Sequence, residues 1–525
     1  MAPTSATTTI SLAKTGVASE YPDQSTDGSV LRRMLVGSTW MVAARWSTRA
    51  IGLVSTIVLA RLLSPPDFGL VAMGMITVGF VRIFAEAGQH LAIIRHPDPQ
   101  REHFDTAWTM SISFGAIVAV VLMAIAPFAG RYFHDPRAVG LVRFLALAPV
   151  IDGFTNVGAI AGFRKNLAFD KEFRFLVVRK LAGFLITLPL AFILQDYRAL
   201  ALGIVVGTLL TVVASYYMHP YRPRLCVTKL REIWSFSAWS QVASVAAFFG
   251  GQTDQLVVGN LAGAAQMGNY NVALDVATAP TSEIVLPTAR ALYPVYATLL
   301  HSLPRLAQAY LDALSLVAIF ALSTGVGVAA VSRDMVLVVL GSKWSDAVIL
   351  VPWLAVSGAV SGMLSGVDGI LTVTGNARLY AMQCLAFAGL LAIAVIIGAL
   401  LWDVEGIAIA RAAILVFFAP VQFYLSMRII PITAGQIIER TWRPTFAAFV
   451  MWAVVTYFGG DIFAQMVPRL ICNVGLGAIV FTTTLLALWY IAGRPAGGEH
   501  VLLAHTTKAI RSLSARAVRR VRSIS

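Results

Sequence analysis

Apolar runs of about 20 residues recur along the chain from near Thr39 to Ala492, each closed by a short polar break. A helix of that length crosses a hydrocarbon core of ~30 Å, so the pattern predicts an all-α integral membrane protein of about fourteen transmembrane helices. The first seven runs cover 39–61, 68–91, 107–130, 138–161, 175–195, 199–218 and 235–259. The second seven cover 267–289, 308–332, 347–373, 379–402, 405–427, 443–459 and 468–492.

The pattern also repeats. The stretch beginning at Ser38 lies over the stretch beginning at Ser237 with a constant offset of 199 residues and no gap. Ser38 meets Ser237, Trp40 meets Trp239, Ala44 meets Ala243, Gly52 meets Gly251, Val58 meets Val257, Leu62 meets Leu261 and Gly69 meets Gly268. Each copy opens an apolar helix with Ser-x-Trp, and the Gly sits in the short link after it. Six runs lie between the copies, an even number, so both halves enter the membrane in the same direction and are related by an axis along its normal. The expected organisation is a disordered leader (1–30), two pseudo-symmetric six-helix lobes (31–229 and 230–433), two extra helices (434–493) and a basic tail (494–525). A repeat of this size in a polytopic protein points to a transporter whose substrate path runs along the repeat interface.

Composition agrees with the pattern. The chain is 58% hydrophobic and only 13% charged, with a mean hydropathy of +0.76. Soluble chains are about half apolar and a quarter charged. The formal charge of +14 follows from where the basic residues fall and requires no nucleic-acid partner. With the N-terminus inside, cytoplasmic segments hold about 26 of the 40 Lys and Arg, and the opposite loops and the spans about 7 each. Both termini are therefore expected in the cytoplasm. In the tail, Lys508, Arg511, Arg516, Arg519, Arg520 and Arg522 alternate with Ile510, Leu513, Val518 and Val521. That spacing fits either a basic amphipathic helix on the anionic inner leaflet or a disordered topology signal. No signal peptide is read at the N-terminus, and the first span can serve as its own insertion signal. Cys226, Cys384 and Cys472 are too far apart for a metal or redox motif. No hydrolase triad, Walker motif or metal cluster is read, so no cofactor is expected beyond Na⁺ or H⁺ coupling.

Two segments carry a resemblance. Residues 59–73 read LARLLSPPDFGLVAM and residues 254–275 read DQLVVGNLAGAAQMGNYNVALD. With FAEAG at 84–88, the prolines Pro280, Pro287 and Pro294, and the fourteen-run layout, they resemble the polysaccharide transporter family. These are the Wzx-type flippases of the multidrug/oligosaccharidyl-lipid/polysaccharide superfamily, and the WzxC/ExoT-like exopolysaccharide members are the nearest type. The resemblance covers roughly 31–492 and implies a two-lobed bundle of the bacterial inner membrane. Its implied substrate is undecaprenyl-diphosphate-linked oligosaccharide, moved from the cytoplasmic to the periplasmic leaflet for exopolysaccharide or lipopolysaccharide synthesis. It also implies membrane lipids and a polysaccharide polymerase or co-polymerase complex as partners.

Such a substrate needs a polar lumen with cations for its phosphates, and ionisable residues inside spans mark lumens because each costs about 2.5–3.5 kcal/mol at a helix centre. Arg45 and Arg49 are one helical turn apart in the first run and share a face. Two guanidinium forks there suit a bidentate grip on phosphate oxygens. The second copy has Ser244 and Phe248 at these positions, so the repeat's packing does not demand the charges. Snorkelling to the inner interface is the structural alternative, and for Arg143, near an outer end, the favoured one.

Arg82 and Glu86 form an i, i+4 pair that reads as a lumen cation with a modulating or proton-linked carboxylate, or as a pair that cheapens insertion. Asp152 and Arg411 also lie in spans, Arg411 as a further cavity cation. Asp254, Asp275 and Glu283 flank or follow the second link, and with Asp368 they are candidates for ion coupling or gating. Asp254 also reads as a pairing partner within its lobe. Pro280 and Pro287 are hinge candidates in the eighth run. Gly358, Gly362 and Gly366 suit close helix contact. Trp40, Trp46, Trp239 and Trp353 read as interface anchors or sugar-stacking surfaces.

The expected mechanism is alternating access, with two lobes rocking about a shared cationic cavity. A multidrug or organic-cation antiporter would want an acidic lumen instead. An integral-membrane polysaccharide polymerase or ligase would want catalytic residues on a sizeable outer loop, whereas the outer loops here, including 332–346, read as short.

Overall fold

The computed structural model describes residues 27–85, 93, 99–165, 168–233, 238–460, 465–495, 497–500 and 502–503. The main helices are α1 (Asp27–Leu62), α2 (Pro65–Ala85), α3 (Arg101–Tyr132), α4 (Arg137–Leu145), α5 (Leu147–Gly153), α6 (Phe169–Leu194) and α7 (Tyr197–Met218) in the first half. In the second half come α8 (Ala238–Leu261), α9 (Gly263–Thr298), α10 (Leu303–Ala330), α11 (Ser332–Val339), α12 (Ala347–Val373), α13 (Ala377–Ile429), α14 (Ala434–Phe458) and α15 (Met466–Ile491). The leader before residue 27 and most of the tail lie outside the described residues.

Helices cover every apolar run, but not one helix per run. Run 138–161 is broken: α4 and α5 are followed by a loop and a π-turn at Gly158–Gly162. Asn156 holds the break, with its backbone N–H donating to Ser215 Oγ and its amide to the Tyr221 carbonyl. Runs 379–402 and 405–427 form α13, which reverses at Trp402 and Asp403, the latter at φ +49°. Gly398 and Gly406 let its two arms touch, since a Cβ at either would lie about 2 Å from the other's carbonyl oxygen.

Eight helices among the described residues are long and apolar enough to cross a membrane, and α13 is one of them. Helices α1, α8, α9 and α14 fall outside that set because polar and charged residues interrupt them. Three of these four, α1, α8 and α9, start or follow the repeat.

The links show why the repeat keeps its glycines. Pro65 and Pro66 start α2 at positions whose N–H groups would have no helical partner, and the Ser64 N–H donates to Asp67 Oδ2. In the second copy Gly263, at φ +74°, makes the corresponding turn. Helices α2 and α9 then cross on each other. A Cβ at Gly69 would sit 1.7 Å from the Ala264 carbonyl oxygen, and one at Gly268 would sit 1.9 Å from that of Pro65. The repeat-equivalent glycines therefore face each other across the pseudo-two-fold axis, and nothing larger fits.

The same end is sealed by residues 332–346. These are not a free loop. Trp344 is fully buried, donates through Nε1 to the Ala60 carbonyl at 2.9 Å and packs edge-on against Phe68. Arg61 donates to the Val338 carbonyl at 2.7 Å. Helix α14 packs on α10 and α15 on α14, at the periphery of the bundle. Beyond α15 the chain turns back, and Glu499 pairs with Arg443 at 2.8 Å while both side chains are almost completely buried.

Candidate functional site

Where the links close one end of the bundle, charges close the other. Arg45 lies 17 residues before the end of α1, about 25 Å away along a helix, and Glu283 lies 20 residues into α9, about 30 Å from its start. The two meet between the halves. Arg45 Nε donates to Glu283 Oε2 at 3.2 Å and its Nη2 to the Ser282 carbonyl at 3.1 Å. Arg49 Nε lies 3.3 Å from Glu283 Oε1. One carboxylate on the second half thus holds both arginines of the first. Nearby, the Gln241 amide of α8 donates to the Ile83 carbonyl of α2 at 2.9 Å.

The face that carries Arg45 and Arg49 continues to Gly52, three residues further. There the missing side chain leaves room for a neighbour: a Cβ would lie 3.3 Å from Lys180 Cε and 3.5 Å from its Nζ. Lys180, on α6, is exposed, and no hydrogen bond or ion pair engages it among the described residues. Asp275, two turns before Glu283 on α9, lies in the field of Arg49 and Lys180. Arg45, Arg49 and Lys180 against Glu283 and Asp275 leave one positive charge in excess. The side chains of Arg45, Arg49 and Glu283 are 21%, 32% and 17% exposed, so the cluster is reachable rather than sealed.

The remaining candidates separate from this cluster. Arg82 pairs with Asp152 at 3.4 Å inside the first half, and Glu86 lies outside the described residues. Arg143 is exposed on α4. Arg411 is not on the inter-half cluster: its Nη1 meets Asp254 Oδ2 at 2.6 Å within the second half, where the fully buried Tyr270 hydroxyl also donates to Asp254. The Arg411 charge is therefore neutralised where it stands. Asp368 accepts a hydrogen bond from the Gln383 amide at 3.3 Å and lies elsewhere, near the end of α12. Pro280 and Pro287 sit inside the continuous α9.

Gly358 and Gly362 pack against Thr278, Thr281 and Val285 of α9, and Gly366 against Tyr310 of α10. Trp40, Trp46, Trp239 and Trp353 are 38–61% exposed. Trp239 receives the Arg378 guanidinium over its ring at 5.5 Å.

Reasoning from sequence missed Lys180. Its signal was present, a lysine five residues inside the run 175–195. It also missed Glu499, whose role depends on the tail folding back and has no local signature.

The sequence family described as "Polysaccharide biosynthesis protein" matches over residues 58–349, more than half of the chain. Among similar proteins, "Succinoglycan biosynthesis transport protein ExoT" of Rhizobium meliloti (strain 1021) is 24% identical over 458 residues, covering 85% of this chain and 91% of the relative. "Lipopolysaccharide biosynthesis protein WzxC" of Escherichia coli (strain K12) is 24% identical over 348 residues, covering 65% and 70%. The fold is similar to a solved structure of the lipid II flippase MurJ in an inward closed conformation. The TM-score is 0.67 at 13% identity, over 88% of this chain and all of that one. The chain belongs to the polysaccharide biosynthesis protein family, and is a multi-pass, helical membrane protein whose fold is shared with that flippase structure.

Proposed function

We propose that the chain is a flippase that carries a polyprenyl-diphosphate-linked oligosaccharide from the cytoplasmic to the periplasmic leaflet of the bacterial inner membrane, with both termini cytoplasmic. The carrying observation is the cluster of Arg45 and Arg49, held between the halves by Glu283, with Lys180 beside them at Gly52. A diphosphate offers several acceptor oxygens where Glu283 offers two. Guanidinium forks match phosphate geometry bidentately, and Lys180 adds a point charge. Substrate and Glu283 therefore compete for the same cations. When the diphosphate wins, the ionic contact across the cytoplasmic end is released and that end opens. Once the substrate has left on the far side, Glu283 recaptures the arginines. The link end, closed by Gly69, Gly268 and Trp344, separates on the outward stroke of this cycle.

An antiporter of organic cations would meet an excess of positive charge here, which opposes its cargo. The similarity to a succinoglycan biosynthesis transport protein and to a lipopolysaccharide biosynthesis protein supports the glycan-lipid reading.

The test compares wild type, an Arg45→Ala/Arg49→Ala double variant and Lys180→Ala at matched membrane abundance in a strain lacking the natural copy. The leaflet that holds the lipid-linked oligosaccharide is read in isolated inner-membrane vesicles. Cytoplasmic-leaflet accumulation in the deletion strain and both variants is expected. Normal sidedness in the deletion strain, with no second carrier, overturns the assignment. Normal sidedness in the double variant alone removes the arginines from the substrate path.

A further inference from the structure

Residues 219–233 join α7 toward α8, and 219–227 lie in no helix. Side chains at the start of α3 strap this segment to the first half. Asp105 accepts from the Tyr221 hydroxyl and, at 3.0 Å, from the Arg224 N–H. Thr109 accepts from the Cys226 N–H at 3.0 Å, and Thr106 from the Lys229 N–H at 3.4 Å. Glu232 meets His103 at 3.1 Å. Along α3, Asp105, Thr109, Thr106 and His103 lie about 6, 12, 8 and 3 Å from Arg101. The strap therefore dips: it runs inward from Tyr221 to Cys226 and returns through Lys229 to Glu232.

The tip of the dip is apolar. Leu225 and Val227, on either side of Cys226, are 77% and 65% exposed. By helical spacing Asp105, Thr106 and Thr109 share a stripe of α3 with Ser113, Ile117 and Val120. Ile117 and Val120 are exposed apolar side chains, the surface a membrane helix turns to lipid. The strap thus continues a lipid-facing stripe, at the depth where the apolar run 107–130 begins. Irregular backbone at such a depth needs partners within the protein, and Asp105, Thr106 and Thr109 supply them.

Cations and aromatic rings flank the tip. The segment holds Arg222, Arg224, Lys229 and Arg231 against one carboxylate, Glu232, which Lys229 neutralises at 2.8 Å. The Arg222 guanidinium stands 5.8 Å from the centre of the Tyr216 ring, and that of Arg224 engages nothing among the described residues. The Tyr216 hydroxyl and Trp108 Nε1 both donate to the Phe154 carbonyl, at 2.9 and 3.4 Å. Rings with one polar end are typical of the membrane interface. A topology signal needs only the charge, whereas an apolar tip pinned at depth between cations is suited to lipid.

We propose that residues 219–233 form a binding site for anionic phospholipid, in which Leu225 and Val227 enter the acyl chains and Arg222 and Arg224 hold the headgroup phosphate. Guanidinium groups match phosphate oxygens bidentately. An acidic protein partner would engage the arginines but leave the apolar tip unexplained. The leaflet is the cytoplasmic one in the orientation proposed above; the site itself does not depend on transport.

The test uses the full-length chain in lipid nanodiscs, with Cys226, Cys384 and Cys472 replaced and a fluorophore on Leu225→Cys. Quenching is compared for brominated phosphatidylglycerol, brominated phosphatidylcholine and aqueous iodide. Both lipids should quench more strongly than iodide. The anionic lipid should be preferred at least fivefold, since each basic residue near an anionic surface contributes roughly that factor. Arg222→Gln combined with Arg224→Gln should bring the preference close to one and leave quenching by phosphatidylcholine unchanged. Arg224→Gln alone removes a side chain without a partner and should lose several-fold of the preference, which keeps the test open should the double variant fold poorly. Iodide quenching stronger than that of either lipid puts the tip in water, overturns the site and leaves the arginines to an acidic protein. Equal quenching by the two lipids in the unsubstituted strap, or a preference that survives the arginine substitutions, overturns the anionic-lipid assignment.

Discussion

Arg443 and Glu499 show what a single charge means in this protein. Their side chains are 1% and 0% exposed, and removing either strands the other without solvent. Breaking a buried pair on one side costs about 3–5 kcal/mol, whereas replacing both by apolar groups is far milder. Arg443→Met and Glu499→Leu alone should each lower thermal stability in detergent sharply, and the double variant should recover most of the loss. A loss in the double variant equal to the sum of the two single losses would mean that the two residues act independently.

In the proposed cycle Glu283 has a different part, as a charge that the substrate displaces. Glu283→Gln leaves Arg45 and Arg49 without their anion, so polyprenyl diphosphate should bind about tenfold more tightly, or ~1.4 kcal/mol, while translocation slows because nothing recaptures the arginines. Native mass spectrometry of the lipid complex reads the first, and leaflet sidedness the second. Unchanged binding would show that Glu283 does not compete.

At the scale of helices, the repeat fixes positions without fixing their purpose. Gly52 and Gly251 are repeat partners, yet Gly52 makes room for Lys180 and a Cβ at Gly251 would meet nothing within 4 Å. Gly251→Ala should therefore be neutral or add up to about 1 kcal/mol through helix propensity. Gly69→Ala forces a methyl into a backbone carbonyl, and overpacking of this kind costs typically 1–3 kcal/mol. The Gly69 variant should melt lower and the Gly251 variant should not, by the same thermal assay.

The end of α7 makes a second prediction. Burial, with Lys171 and Arg222 adding to it, holds the His219 imidazole below its ordinary range. Its folded pKa lies below the unfolded value of about 6.5, so stability is full above that pH and falls as the pH drops toward the folded pKa. Melting temperatures between about pH 8 and 5 should decline in wild type, and less steeply in His219→Asn.

At the scale of the molecule, both ends of the interface between the halves are in contact, one through Gly69, Gly268 and Trp344, the other through Arg45, Arg49 and Glu283. A carrier cannot transport with both ends held. In a background with Cys226, Cys384 and Cys472 replaced, Arg45→Cys combined with Glu283→Cys and a short reducible cross-linker should stop translocation, and reduction should restore it to the level of the uncross-linked double variant. Translocation that continues through the cross-link would remove lobe separation at this end from the mechanism.

The length and period of the apolar runs, set by a hydrocarbon thickness that every span must match, were enough for the sequence to determine a helical membrane protein. The 199-residue offset determined a parallel repeat, whereas the contact of its paired glycines across the halves appeared only in the packing. Ionisable residues in apolar runs could be found because they are costly there. What they pair with could not, since a guanidinium reaches any carboxylate that folding brings within a few ångströms. Arg411 reads like Arg45 along the chain, and only packing sends it to Asp254 while Arg45 goes to Glu283. The break at Asn156, the reversal at Asp403 and the burial of Glu499 were likewise decided by tertiary structure. Each depends on contacts between segments 50 or more residues apart or on backbone angles that no apolar periodicity encodes.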